Sequence, residues 1–410
     1  MKYDIFLSMQ KTRHTFQFLF FFMAVWLTLR NLLGLTKATV ESYCPVGGLE
    51  SILFFLKNHA FLCATSGINL ILFLAILIGT IVAGRAFCSW VCPIGTIMEI
   101  LRKLGVDANL LNRTFWKKST KIIGYLRYPL LAVILYYTLQ ITDLIFRTYC
   151  PYYIVISGQE HELAWWAKWL MLVLGGIAIV IPFFWCKVIC PFGAFLGIVR
   201  LVSPIAPAIK TSNCVSCGKC DEACPQQIPI MASKRVWSTD CTQCLICTES
   251  CPKNCVELHA GYQPISNDSI AATKITYRRF TKGVIPLIVA LMMGLGFFFA
   301  FNFPLPTMTK YFPTYNSGAK LSRADIIVNG LRCRGTANTL GWILEQDRGI
   351  AGIEAYVSEA KARIFYDSAK TDPQKISVLI NSGRISIDAK TGEKKLINFF
   401  KVKEIQNSEK

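Results

Sequence analysis

Eight cysteines between Cys214 and Cys251 form the stretch best suited to chemistry. They fall as Cys214, Cys217, Cys220 and Cys224, then Cys241, Cys244, Cys247 and Cys251, each run reading C-x2-C-x2-C-x3-C-P. Short loops of that length wrap three thiolates round one corner of a cuboidal iron-sulfur cluster, and the fourth cysteine of each run reaches across to the other cluster. The expected ligand sets of two 4Fe-4S clusters are therefore Cys214, Cys217, Cys220 with Cys251, and Cys241, Cys244, Cys247 with Cys224. Zinc favours cysteine pairs separated by longer loops, and a disulfide framework is disfavoured in a reducing compartment.

Two further pairs of cysteines recur with their surroundings. Phe87-Cys88-Ser89-Trp90-Val91-Cys92-Pro93-Ile94-Gly95 matches Trp185-Cys186-Lys187-Val188-Ile189-Cys190-Pro191-Phe192-Gly193, and Tyr43-Cys44-Pro45 matches Tyr149-Cys150-Pro151. Cysteines four apart share a helical face, and each second cysteine precedes a proline that can start a helix, whose N-terminal dipole lowers a thiol pKa. Cys88, Cys92, Cys186 and Cys190 are thus candidates for a third metal or iron-sulfur centre, with buried packing as the alternative. For Cys44 and Cys150 a disulfide, metal ligation and thiol redox chemistry all stay open. Cys63 and Cys255 have no partner by spacing and are assigned to packing.

The elements that must position these residues look helical and apolar. The chain has 410 residues, 53% of them hydrophobic, with a mean hydropathy of +0.41. Five apolar runs, roughly Thr15–Leu35, Ile68–Ala86, Ile122–Ile141, Trp166–Phe184 and Val284–Phe303, approach the length of a bilayer span. The expected fold is therefore membrane α-helical, with about five transmembrane helices in two repeated hairpins. The net charge of +19 gathers in alternate loops, at Arg85, Arg102, Lys103, Lys117 and Lys118, then Lys187, Arg200, Lys210 and Arg235. That distribution reads as a topology signal with a cytoplasmic cysteine-rich insert, and not as a nucleic-acid surface. Expected boundaries are 1–209 for the membrane domain, 210–260 for the two-cluster insert, 261–305 for a linker and fifth helix, and 321–390 for a terminal domain.

With its paired C-x3-C-P motifs ahead of a double-cluster ferredoxin, the chain resembles the NapH, NosR and CcoG group of membrane-bound polyferredoxins over about residues 15 to 260. The resemblance implies a multi-pass protein of the bacterial inner membrane that transfers electrons. Its partners would be redox proteins and, in NapH and NosR relatives, quinol feeding an outer reductase; in CcoG relatives the reaction is copper reduction. Three readings follow: an electron-transfer subunit between the quinone pool or a cytoplasmic donor and a reductase, a reductase of copper or another soft metal, and an assembly or anchoring subunit without turnover.

The chain continues past the ferredoxin, and there the pattern changes. Strands over Ala324–Asn329, Ala351–Val357, Ala362–Tyr366 and near Arg384–Asp388, with helices over Thr336–Glu345 and Pro373–Asn381, give a βαββαβ order, a ferredoxin-like α+β sandwich on the outer side. Ile326–Ala337, Gly352–Tyr356 and Tyr366–Pro373 are similar to the heavy-metal-associated domain. That family's G-M-x-C-x-x-C motif is incomplete here, because Leu331 replaces the Met and Thr336 the second Cys, leaving Cys333 alone.

Four histidines, His14, His59, His161 and His259, offer no mid-helix pairs, so no haem is expected, and no G-x-G-x-x-G points to a nicotinamide. A quinone site has only scattered candidates: Arg30, Glu50, Asp143, Arg147, Glu160 and His161.

Overall fold

The computed structural model describes residues 4–33, 44–58, 67–104, 120, 122–140, 150–151, 154, 165–210, 214–233, 235–261, 279–280, 283–303, 306–312, 321–331, 334–382, 384–387, 394–397 and 400–409. The chain divides into two compact units. One comprises Met1–Leu29, Leu74–Tyr136 and Phe146–Phe297; the other comprises Arg30–Phe73, Tyr137–Ile145 and Phe298–Lys410.

Each expected apolar run contains a helix: Asp4–Leu32, Gly67–Ala83, Arg127–Gln140, Trp165–Val180 and Val284–Asn302. The expectation of five transmembrane spans is nevertheless corrected. Among the described residues no helix is long and apolar enough to cross a membrane. At a rise of 1.5 Å per residue the second, third and fourth helices reach only about 26, 21 and 24 Å, against roughly 30 Å of hydrocarbon. The second stops at Gly84, whose φ of +66° suits glycine, and the fourth stops before Pro182, with Phe183 at φ +57°. The first helix is long but carries Lys11 and a buried Arg13.

In the first unit the cysteine-rich insert is closed at its base by a strand pair. β1 (Ile205–Ile209) runs antiparallel to β2 (Val256–Ala260), from Ile205 opposite Ala260 to Ile209 opposite Val256, and β2 also pairs with β3 (Arg279–Phe280). Residues entering and leaving the insert are thereby held side by side. Between them the two cysteine runs repeat the same backbone. Ser216, Gly218 and Gln227 in the first run and Gln243, Leu245 and Asn254 in the second all take positive φ. These left-handed residues reverse the chain often enough for each short loop to turn its thiols inward, and such conformations cluster at ligand clamps.

The second unit holds a five-stranded antiparallel sheet in the order β10-β5-β7-β6-β4. Its strands are β4 (Met308–Tyr311), β5 (Leu321–Asn329), β6 (Ile350–Tyr356), β7 (Lys361–Asp367) and β10 (Lys401–Glu409). Alternate residues of β5, namely Ala324, Ile326 and Val328, face the helices Arg334–Leu344 and Pro373–Asn381 and are fully buried with Leu340, Ile376 and Ile380. The strand expected near Arg384–Asp388 departs from expectation. Among the described residues β8 (Arg384–Ile387) pairs only with β9 (Lys394–Ile397) in a separate two-stranded sheet, and the position beside β5 belongs to β10. Both segments are β-prone, and only β10 brings Val402 against the core.

Candidate iron-sulfur site

The first expected ligand set converges. Cys214, Cys217, Cys220 and Cys251 line a single cavity, with Ile209, Met231 and Val256 as its apolar wall. Cys251 comes from the other run, as the crossing pattern requires. Its thiol accepts a hydrogen bond from the N–H of Cys255 at 3.2 Å. Burial opposes ionisation of Cys251, but N–H groups of Cys255, Lys253 and Val256 outweigh it and hold the thiol below its ordinary value. A ring of N–H donors round a sulfur in an apolar pocket suits a thiolate bound to iron.

The second set is more deeply enclosed. Cys247 lies within electrostatic reach of Cys244, Cys241 and Cys224, so the crossing ligand again joins the triplet of the other run. Burial pushes the Cys244 thiol up to about 12, against the pull of the Arg13 guanidinium. Such thiols keep their protons until a metal displaces them. Pro225, the residue after the crossing Cys224, holds that cysteine extended and ends the preceding helical turn. Four sulfurs per set, an apolar wall to the first cavity and backbone donors aimed at sulfur fit the group that the spacing implies. Among the described residues no three His, Cys, Asp or Glu side chains form a site for a single metal ion.

The C-x3-C-P cysteines are also gathered. Cys88 sits on the short helix Ala86–Trp90, and Cys92 precedes Pro93 of the helix Pro93–Leu104. Cys186 lies in a π-helical turn, Trp185–Ile189, and Cys190 caps the helix Pro191–Arg200 by accepting the Gly193 N–H at 3.2 Å. Phe87 and Phe192, one from each repeat, meet edge to face at 6.0 Å. Cys186 is within electrostatic reach of Cys190, Cys92 and Cys88. The helix starts do not make these thiols acidic: burial prevails and pushes Cys92 up to about 12 and Cys190 up to about 11. Cys88 and Cys186 line a cavity together with Cys244 of the second set, so the quartet adjoins that set directly.

Arg85, Lys187, Arg200 and Arg235, which the sequence reads as loop charges, are buried here, and so are Arg13 and Arg127. Arg85 reaches Cys88 Sγ at 3.9 Å and donates to Thr239 O at 2.6 Å, while Arg200 donates to Ser238 O at 3.0 Å. Ser89 donates to Thr242 O at 2.6 Å, Trp90 Nε1 to Gln243 O at 3.1 Å and Gln10 to Cys244 O at 3.1 Å. These bonds fasten the loop 238–244, which carries the second ligand set, onto the first C-x3-C-P segment. Glu99, buried, pairs with Arg13, and Asp240 is bound to Arg127 at 2.7 Å. Arg85, Arg13 and Lys187 thus place positive charge near Cys88, Cys244 and Cys186, which favours the charged thiolate form. Sequence reasoning missed these residues, because burial of an arginine leaves no local signature beyond its place beside a cysteine motif.

The remaining candidates divide between the two units or fall outside the described residues. Cys44 falls in the second unit, its carbonyl accepting from Asn69 at 2.9 Å, and Cys150 falls in the first. Cys63, Cys333, Asp143, Arg147, Glu160 and His161 lie outside the described residues. Glu50 is buried in the second unit and accepts from Thr138 at 3.1 Å.

With that geometry, the family described as "4Fe-4S binding domain" matches residues 65–113 and 163–207, the two segments that carry the C-x3-C-P motifs. The two crossed thiol sets of the insert are of the kind that hold iron-sulfur clusters, and the comparisons support a polyferredoxin family. The chain is 27% identical over 203 residues to the putative electron transport protein YccM of Escherichia coli, covering 47% of this chain and 55% of that protein. It is 29% identical to the uncharacterized protein MJ0750 of Methanocaldococcus jannaschii, covering 38% of this chain and 64% of that one. It is 30% identical to the ferredoxin-type protein NapH of Escherichia coli, covering 35% of this chain and 48% of that one. The chain thus spans less than two thirds of the length of these relatives. No solved structure matches. The likeness to the heavy-metal-associated domain receives no support from these matches, since the family match ends at residue 207.

Proposed function

We propose that this protein carries two 4Fe-4S clusters, one on Cys214, Cys217, Cys220 and Cys251 and the other on Cys241, Cys244, Cys247 and Cys224. It passes electrons singly between a donor, quinol or a cytoplasmic reductant, and a reductase partner. The observation that carries this reading is the cavity in which Cys251 joins the triplet of the preceding run. When bound, each cluster stores and releases one electron at a time. The chain's own groups do the rest. Apolar walls at Ile209, Met231 and Val256 exclude water, and the N–H groups round Cys251 favour its thiolate. The buried Arg13 and Arg85 lie beside Cys244 and Cys88 and favour the more negative, reduced form of whatever those sulfurs hold.

The quartet Cys88, Cys92, Cys186 and Cys190 is proposed as a third centre, next in line to the second cluster. The shared cavity, the buried Arg85 beside Cys88 and the placement of the family match over both motifs support that assignment. The reducing cytoplasm is the compartment proposed for these sulfurs. The partner is a redox protein, as the ferredoxin-type names of the relatives suggest.

The test is anaerobic iron and acid-labile sulfide analysis with EPR of the dithionite-reduced protein. Two interacting 4Fe-4S signals are expected, with further iron that is lost in Cys88→Ser and Cys186→Ser. A colourless, iron-free preparation after anaerobic reconstitution would refute the cluster reading, and iron unchanged in both variants would remove the third centre alone.

A further inference from the structure

By spacing, Cys255 belongs to neither ligand run. Its side chain is nevertheless buried and lines the cavity that Cys214, Cys217, Cys220 and Cys251 share. Its N–H donates to Cys251 Sγ, and its thiol shares hydrogen bonds with those of Cys251 and Cys214. Five thiols, not four, therefore line the first cavity.

The internal repeat shows that this is specific to one half. After Cys251 the chain turns through Asn254, at φ +51°, whose N–H reaches Cys251 O at 3.1 Å. After Cys224 it turns through Gln227, at φ +58°, whose N–H reaches Cys224 O at 2.9 Å. The next residue in each half donates its N–H to the crossing thiol, and it is Cys255 in one and Ile228 in the other. Same backbone, same place beside the ligand, sulfur against hydrocarbon.

We propose that Cys255 is a reserve ligand of the first cluster, a thiol placed to take the iron corner that Cys251 holds when that bond opens. The proposal rests on the cluster reading above. The exchange balances without an oxidant: the Fe–S bond to Cys251 breaks and that sulfur takes up a proton, while Cys255 loses its proton and forms the new Fe–S bond.

The experiment compares the two halves of the full chain, reconstituted anaerobically, by iron and sulfide content and by EPR. Cys251→Ala should keep both clusters with one altered EPR signal, whereas Cys224→Ala, with Ile228 at the matching position, should lose one. Cys251→Ala/Cys255→Ala should also lose one, and Ile228→Cys should restore the cluster to Cys224→Ala. Loss of iron in Cys251→Ala equal to that in Cys224→Ala overturns the proposal. If Cys251→Ala fails to fold by circular dichroism, the graft decides: no recovery of iron with Ile228→Cys overturns it. An iron-free parent protein would instead overturn the cluster reading itself.

Discussion

Arg13 and Glu99 form a two-pronged ion pair: Nη1 donates to Oε2 and Nη2 to Oε1, each at 2.6 Å, with both side chains buried. Gln17 donates to the same carboxylate at 2.8 Å and to Ser89 O at 3.0 Å, so the first helix is tied to the C-x3-C-P segment through one carboxylate. The pair also lines the cavity between Cys88, Cys186 and Cys244.

Breaking that pair from one side strands a buried charge. Arg13→Ala or Glu99→Ala should destabilise the first unit by roughly 3–5 kcal/mol, while the double substitution Arg13→Met/Glu99→Leu should cost far less than the two together. Chemical denaturation of the single and double variants checks this; additive losses would contradict it.

Acid should reveal the same pair. Burial would raise the Glu99 carboxyl, yet the Arg13 hydrogen bonds and charge prevail and bring it down to about 2. An unfolded glutamate titrates near 4.3. The folded carboxyl is the stronger acid, so its contribution to stability is complete above about pH 4.3 and disappears as pH falls toward 2. Glu99→Gln should flatten the stability-pH curve across that window, and an unchanged slope would show that Glu99 is not held this way.

A methyl group at Gly95 should disturb the quartet. A Cβ there would collide with the carbonyl oxygen of Cys88, which is backbone and cannot swing aside. Gly95→Ala should cost roughly 1–3 kcal/mol by overpacking. It should also lower iron associated with Cys88 and Cys92 while leaving the EPR signals of the two ferredoxin-type clusters in place.

Trp90 is fully buried, and its indole N–H bonds to Gln243 O beside the second ligand set. Trp90→Phe removes that donor and leaves a buried carbonyl without it, a loss of about 1–3 kcal/mol. Hydrogen exchange at the amides of residues 241–247 should rise in this variant; protection equal to the parent's would show that the bond does not fasten the loop.

In the other unit, Ile326 of β5 is fully buried in the sheet-helix core. Ile326→Ala should destabilise that unit by roughly 2–5 kcal/mol. Iron content should stay at the parent level, and its loss would show that the units depend on one another.

The ligand spacing of the eight cysteines was legible in the chain because short loops leave a thiolate few places to go, so type and interval nearly specify the site. The C-x3-C-P quartet was legible as a repeat for the same reason. Arg85 and Lys187 were misread as topology charges: a lysine or arginine beside an apolar run looks the same whether it faces water or donates to buried carbonyls. The apolar runs themselves were found, but hydropathy does not tell where a helix stops, and Gly84 and Pro182 stop two of them early.

The residues alone determined that eight thiols fall in two runs spaced for crossed ligand sets and that helices flank them, since both follow from local spacing and composition. Tertiary structure decided what no interval could: that Cys255 turns into the first cavity, that the quartet shares a wall with Cys244, and that β10, not β8, completes the sheet beside β5. Each of these depends on segments distant in the chain meeting in space. Burial and pairing there are set by what packs opposite, which the local sequence does not contain.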